Sequence, residues 1–493
     1  MKKTFIFLLT VLLCSSCSMK NDTFYEGGYT NGAFIETSIP STGDRFEEFS
    51  DNPFIETTTN PVSTFSIDAD GASYAYARMC IKRGSLPNPN AVRIEEFINY
   101  FHFNYPAPQE GDALAINAEV GNCPWNDEHK LIRLGIKGKN IAKEALPNAN
   151  YVFLIDVSGS MDTKNKLGLI KEGMIMLVGE LNPNDRISII TYSGTVERIL
   201  ESTKVEQSDL IVSAIRRLEA SGSTAGGAAL KMAYEEALEH YIEDGNNRII
   251  LGTDGDFNVG VSSTDELLEI VSEQADNGIY LTACGVGTGN WNDQMMEKIS
   301  NRGNGTYYYI DSADELVKIF VHDRSYLQAV ANDTKCQIRF DSTMVKKYRL
   351  IGYENRVMSN EDFEDDKKDA GEIGAGQSIT ALYEIEPTEQ WQTNATCATF
   401  ECRYKTKLNT NSCNLSLPIN QWVGQQSEDL NFCAGVASYG MLLRGSEYMG
   451  TSSCEMAINL IQNASTYDPY GYRAELVELI QTAEELLKKR VAN

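Results

Sequence analysis

Between Tyr151 and Asp162 the chain reads YVFLIDVSGSMD, and its chemistry is concentrated at the end of that stretch. Asp156, Ser158 and Ser160 stand at alternate positions, so a single loop offers one carboxylate and two hydroxyls. All three are hard oxygen donors, suited to Mg2+ or Mn2+ rather than to soft metals. Ahead of them runs a short apolar segment, Val152 to Ile155, with the character of a parallel strand buried on both faces. The carboxyl end of such a strand is where open α/β sheets bind ligands. An ion held there needs further oxygens, and two later loops supply candidates: ASGSTAGGAAL at 220–230 and LGTDGDFNVG at 251–260. Glycines in the first let backbone approach an ion closely, and the second directly follows another apolar run.

Other chemistries lack their residues. Gly222 to Gly227 has the spacing of a phosphate loop without the Lys and Ser/Thr that must follow. The four histidines, His102, His129, His240 and His322, form no zinc-protease pair, and there is no Gly-x-Ser-x-Gly nucleophile elbow. They read as surface or core histidines. Asp162 and Asp256 read as loop acids or helix caps, and Tyr307 to Tyr309 as strand packing. Asp and Ser are common turn residues, so Asp-x-Ser-x-Ser means little alone; its weight comes from three loops, each following a strand of one unit.

The Asp156, Ser158, Ser160 motif resembles the first motif of the metal-ion-dependent adhesion site of the von Willebrand factor type A family. That resemblance implies that Thr224 is the metal-binding threonine of the second loop and Asp254 the final acidic position. It also implies that the hydroxyls bind the ion directly, that one or both carboxylates act through water, and that an open position takes an acidic side chain from a protein partner. Mg2+ is the implied ion, with Mn2+ or Ca2+ as alternatives. Few anionic ligands in direct contact leave such a cation electrophilic enough to hold an outside carboxylate. A second resemblance lies outside the metal motif. STFSIDADGASYAYAR at 63–78 and AVRIEEFINYF at 91–101, joined through the turn at Leu86 to Pro89, resemble the amino-terminal segment of bacterial YfbK-like lipoproteins that carry such a domain.

The elements that must hold the site follow from periodicity. Leu167, Ile170, Met174, Leu177 and Leu181 recur at helical spacing, Arg186 to Tyr192 reads as a second apolar strand, and Val196 to Leu200 as its antiparallel partner. Strands at 248–252, 279–286 and 305–310 alternate with helices at 228–241, 266–275 and 314–320, which predicts a doubly wound, mainly parallel sheet over 150–325. Alternating patterns at 107–149 and 326–425 predict one β-sandwich into which this α/β unit is inserted. Helical patterns are expected at 61–106 and again at 426–493, the last helix packing on the first. The acidic run Glu361 to Asp369 lacks EF-hand spacing and reads as a solvated loop.

Lys2, Lys3 and the apolar stretch Phe5 to Leu13 read as an export signal, and Cys14-Ser-Ser-Cys17 resembles a bacterial lipobox with Cys17 as the lipidated residue. Residues 1–17 are then signal, and 18–60, rich in Thr, Ser, Asn, Gly and Pro, a flexible tether. Nine of the eleven cysteines lie beyond it and read as structural, some of them open to pairing in an oxidising compartment. A net charge of −26 over 493 residues argues against a nucleic-acid partner, because few clustered cations are present to neutralise phosphates. The reading is a lipoprotein of the bacterial cell envelope, on the outer membrane, that binds an acidic protein ligand through a divalent ion. A scaffold stabilised by the ion is the alternative, and a hydrolase a distant third.

Overall fold

A computed structural model describes residues 43–48, 50–222, 226–255, 264–289, 291–392, 394–420 and 426–492. Cys17, Thr224 and Asp256 lie outside the described residues. Ahead of the α/β unit come β1 (Ile55–Glu56), β2 (Val62–Ser66), α1 (Ala72–Lys82), α2 (Ile94–Asn99), β3 (Leu114–Asn122) and β4 (Lys130–Gly138). The unit itself runs β5 (Ala149–Asp156), α3 (Leu169–Glu180), β6 (Arg186–Tyr192), β7 (Val196–Lys204), α4 (Ser208–Arg216), α5 (Gly226–Glu239) and β8 (Asn246–Thr253). It closes with α6 (Thr264–Asp276), β9 (Ile279–Val286), α7 (Asp293–Arg302), β10 (Tyr307–Ile310) and α8 (Ala313–Val317), which continues as a π-helical turn over Lys318–His322. Seven strands follow: β11 (Ala329–Phe340), β12 (Val345–Ile351), β13 (Val357–Met358), β14 (Gly371–Gly374), β15 (Ser378–Pro387), β16 (Thr396–Lys405) and β17 (Cys413–Asn420). The chain ends in α9 (Glu428–Arg444), α10 (Cys454–Gln462) and α11 (Tyr472–Ala492).

In the α/β unit the strand order is β10-β9-β8-β5-β6-β7, parallel except for β7, which turns back on β6. Every residue of β5 is buried, and its side chains divide by the period of two. Val152 and Leu154 join a core that includes helices α5, α6 and α7, whereas Tyr151, Phe153 and Ile155 join the opposite core with α3, α4 and α8. An apolar run is what a strand covered on both faces requires.

Strands from both sides of this unit share one sheet. The order is β1-β12-β15-β4-β3, with β4 pairing β15 from Lys130 opposite Ile385 to Lys137 opposite Ser378. A second sheet, β13-β2-β11-β16-β17, packs against it, and Phe340 of one stacks on Tyr348 of the other with ring centroids 4.2 Å apart. The interrupted sandwich expected from the sequence is therefore present, and β2 adds a strand to it that the sequence assigned only to the lead into a helix. A helical layer of α2, α9, α10 and α11 covers the outer face of the first sheet through Leu131, Ile351 and Leu382. Helix α1 bridges the two halves: Ala75, Tyr76 and Met79 face the α/β core, while Tyr74, Ala77 and Ile81 face the helical layer.

Three expectations need correction. The tether does not extend to residue 60: Asp44 accepts from the Gly289 and Trp291 amides, Asn52 donates to the Leu350 and Gly352 carbonyls, and β1 pairs β12. These are polar side chain to backbone bonds, which leave no apolar period to read. The helix expected over 91–101 is confined to α2, because Ser73 Oγ donates to the Ala91 carbonyl and accepts the Arg93 amide, holding Val92 and Arg93 extended. Nor do the nine cysteines form any disulfide among the described residues; all but Cys413 are buried and act as small apolar fillers. The acidic run is largely exposed, as expected of a solvated loop, with Glu364 and Asp366 meeting Arg403 at 2.7 and 2.9 Å.

Candidate metal centre

Asp156 is the last residue of β5 and is fully buried, at the point where β5 lies between β6 and β8. One of its oxygens accepts the Ser158 amide at 2.8 Å, which folds the motif loop back over the strand end. Its other oxygen accepts the Thr253 hydroxyl at 3.3 Å. Ser158 is buried and Ser160 exposed, and their hydroxyls lie 3.0 Å apart. The two serines thus present one oxygen pair, half sheltered and half open to an approaching group.

The second loop follows helix α4 rather than a strand, contrary to expectation, and is bound to the first. Gly159 N donates to the Gly222 carbonyl at 3.0 Å, and Ser221 N to the Val157 carbonyl at 2.7 Å. Gly222 is left-handed, with φ +82°, and a Cβ there would meet Ser193 Oγ at 3.3 Å. Thr224 itself is not described, but the chain just before it is tied to the loop of Asp156, Ser158 and Ser160. The third loop brings Asp254, fully buried, immediately beyond the end of β8. Gly255 follows with φ +92°, its bare Cα against Trp291.

Two carboxylates are thus sheltered from water at the ends of adjacent strands, where like charges repel. Burial pushes the Asp156 carboxyl up to about 6, and repulsion from Asp254 adds to it, against the lowering by hydrogen bonds from Ser158 and Thr253. Tyr192, opposite Asp156 on β6, has its phenol held well above the usual range by burial and then by the Asp156 charge. The donor set fits a hard divalent cation: carboxylates and hydroxyls, no thiol or imidazole, with excess negative charge. Asp156, Ser158, Ser160 and Asp254 are thus brought to one edge of the sheet.

Three residues that the sequence did not single out belong to this edge. Thr253 and Tyr192 are neighbours of Asp156 only through the parallel register, which sequence spacing does not carry. Lys166 reaches Asp254 with its ammonium 2.8 Å from Oδ2. Elsewhere the histidines take structural partners: His102 lies 2.6 Å from Asp323, His129 2.6 Å from Glu384, and His322 2.9 Å from the Tyr472 hydroxyl. Asp162 is exposed. Among the described residues no helix is long and apolar enough to cross a membrane.

Comparison with known proteins bears on the whole chain. A family model described as von Willebrand factor type A domain matches residues 150–322, and one described as Uncharacterized protein YfbK, C-terminal, matches 325–486. A third, described as von Willebrand factor, matches 40–133. The chain is 38% identical over 474 residues to Uncharacterized protein YfbK of Escherichia coli (strain K12), covering 91% of this chain and 82% of that protein. It is 28% identical over 203 residues to Uncharacterized protein sll0103 of Synechocystis, covering 41% of this chain and 46% of that one. Among solved structures, a von Willebrand factor type A protein from Catenulispora acidiphila is similar with a TM-score of 0.44 at 14% identity, over 77% of this chain and 91% of that one. Taken with the inserted α/β unit and its three loops, the identity along nearly the whole length shows that this chain belongs to the YfbK family of proteins built around a von Willebrand factor type A domain.

Proposed function

We propose that this chain is a cell-envelope lipoprotein, anchored through Cys17, that captures a protein partner at the edge of its α/β sheet through a divalent cation, Mg2+ first among the candidates. Asp156, Ser158, Ser160, Thr224 and Asp254 would hold the ion, and an acidic side chain of the partner would complete its coordination. The observation that carries this reading is the pair of buried carboxylates, Asp156 and Asp254, at the ends of adjacent strands, with the Ser158 and Ser160 hydroxyls 3.0 Å apart on the loop after Asp156. The ion would supply a position of high charge density for the partner's carboxylate. The protein's own groups do the rest: Ser158 N and Thr253 Oγ1 fix the Asp156 carboxylate, and the Gly159 and Ser221 amides hold the second loop beside the first. No bond is made or broken in this account, so it is one of binding rather than turnover.

A specific observation favours a second reading, a scaffold whose ion only stabilises the fold. Relatives of adhesion type would transmit binding through the last helix of the unit, here α8 and its π-helical turn. That helix is fastened: Arg78 of α1 lies 2.6 Å from Asp311 and 2.6 Å from Glu315, and Lys318 pairs with Asp323 while sitting 4.6 Å from the Tyr100 ring centre. Capture from envelope extract separates the two. The binding reading expects a partner retained in Mg2+ and lost with EDTA or in Asp156→Ala. Retention indifferent to both would leave the scaffold.

A further inference from the structure

Lys166 lies in the π-helical turn Lys164–Gly168 that follows the motif loop, and its side chain is directed to Asp254 rather than into solvent. Its ammonium donates to Asp254 Oδ2 at 2.8 Å, and its side chain is only 13% exposed against 0% for Asp254. The stem has a prepared path. It crosses Gly287, at the end of β9, where an added Cβ would fall 2.4 Å from Lys166 Cε and 3.1 Å from both Cδ and Cγ. Gly287 also has φ +78°, so any side chain there would be strained as well as obstructive. Three separate parts of the chain thus converge on one contact: the turn that carries Lys166, the bare backbone of Gly287, and the buried Asp254.

We infer that Lys166 sets the charge of the candidate metal centre, withholding Asp254 from direct coordination so that a bound divalent ion keeps enough charge to take an outside carboxylate. This rests on the metal-dependent reading above and specifies which residue would tune it. The electrostatics are simple. Asp156 and Asp254 carry two negative charges and Lys166 returns one, so a divalent ion leaves the cluster net positive with Lys166 and neutral without it. A neutral cluster holds the ion more tightly and an incoming anion less so. Lysine suits the task, being a compact charge on an unbranched stem that fits over a glycine.

Lys166→Met keeps the stem and removes the charge. The measurement is Mn2+ affinity, from the electron paramagnetic resonance signal of free Mn2+, followed by acetate titrated onto the Mn2+-loaded protein and read by water proton relaxation. Lys166→Met is expected to bind Mn2+ about tenfold more tightly than the unsubstituted protein and acetate about tenfold more weakly, with Lys166→Arg close to the unsubstituted protein in both. Far-UV circular dichroism and the melting temperature without metal check that each variant is folded. Equal Mn2+ affinity in Lys166→Met and the unsubstituted protein, or a loss of both affinities together, overturns the inference while leaving the metal reading standing. Absence of Mn2+ binding in every folded variant, the unsubstituted protein included, overturns the metal reading and this inference with it.

Discussion

Asp156→Asn should move the stability of the protein in opposite directions with and without a divalent ion. Asparagine keeps the shape and an acceptor for the Ser158 amide, but removes one of two charges buried side by side. In the metal-free protein burial holds the Asp156 carboxyl at about 6 against an ordinary 3.8. A displacement of that size corresponds to about 3 kcal/mol of lost stability at neutral pH, and we discount it to about 1–2 kcal/mol for weaker bonds to Thr253 and Ser158. The sign follows from linkage. An acid whose folded pKa is raised costs nothing below its unfolded value and its full amount above the folded one, so the gain from Asn should be complete at pH 7.5 and absent near pH 3.5. With Mg2+ at about a hundred times its Kd, the unsubstituted protein should gain about 2.7 kcal/mol, and Asp156→Asn almost none. Urea denaturation in EDTA and in excess Mg2+, at both pH values, reads all of this. A variant less stable than its parent in EDTA at pH 7.5, or one stabilised by Mg2+ as much as its parent, would refute the reasoning.

Three further outcomes follow from the packing. Arg78→Met leaves Asp311 and Glu315 buried without their cation and should cost about 3–5 kcal/mol in thermal unfolding, part of which Arg78→Met with Glu315→Gln recovers; a cost under about 1 kcal/mol would mean that α1 does not fasten the last helix. Gly285→Ala would put a Cβ 1.7 Å from the Trp291 ring, so it should unfold the α/β unit or shift its melting by many degrees, whereas Gly179→Ala, with open space around it, should be near neutral. Burial, with repulsion from Glu354 and Asp68, pushes Glu95 up to about 8 from an ordinary 4.5. Stability should therefore fall as pH rises through that interval, and Glu95→Gln should flatten the profile and add about 2 kcal/mol at pH 8.5, measured by denaturant titration across pH.

Much of this architecture was legible because the signals were periodic. The run Val152 to Ile155 had the character of a strand covered on both faces, and strand-like patterns on both sides of the α/β unit implied a sandwich closed around an insertion. Asp156, Ser158 and Ser160 were legible as alternate oxygen donors after an apolar strand, and Asp254 through the resemblance to the von Willebrand factor type A family; topology then brings their strand ends together. What stayed hidden was set by register and by polar docking. Tyr192 meets Asp156 only because β6 pairs β5 in parallel, and nothing in the local sequence marks that neighbour. Nothing in the spacing around Lys166 marked it: its turn is π-helical, and the bare backbone of Gly287 that admits its stem lies far along the chain. Residues 43–60 dock through Asp44, Asn52 and Thr57, with side chain to backbone bonds that polar composition alone reads as a loose linker. α1 is buried on every side from Ala72 to Ile81, so no polar face announced that it joins two cores.

The central claim is that three loops make one cation site. Crystals grown without divalent ions and soaked in Mn2+, with diffraction recorded at the manganese absorption edge, test it most directly. The account predicts a single strong anomalous peak bounded by Asp156, Ser158, Ser160, Thr224 and Asp254, lost in Asp156→Ala. A map with no peak at that edge of the sheet, or a peak that persists in Asp156→Ala, would contradict it.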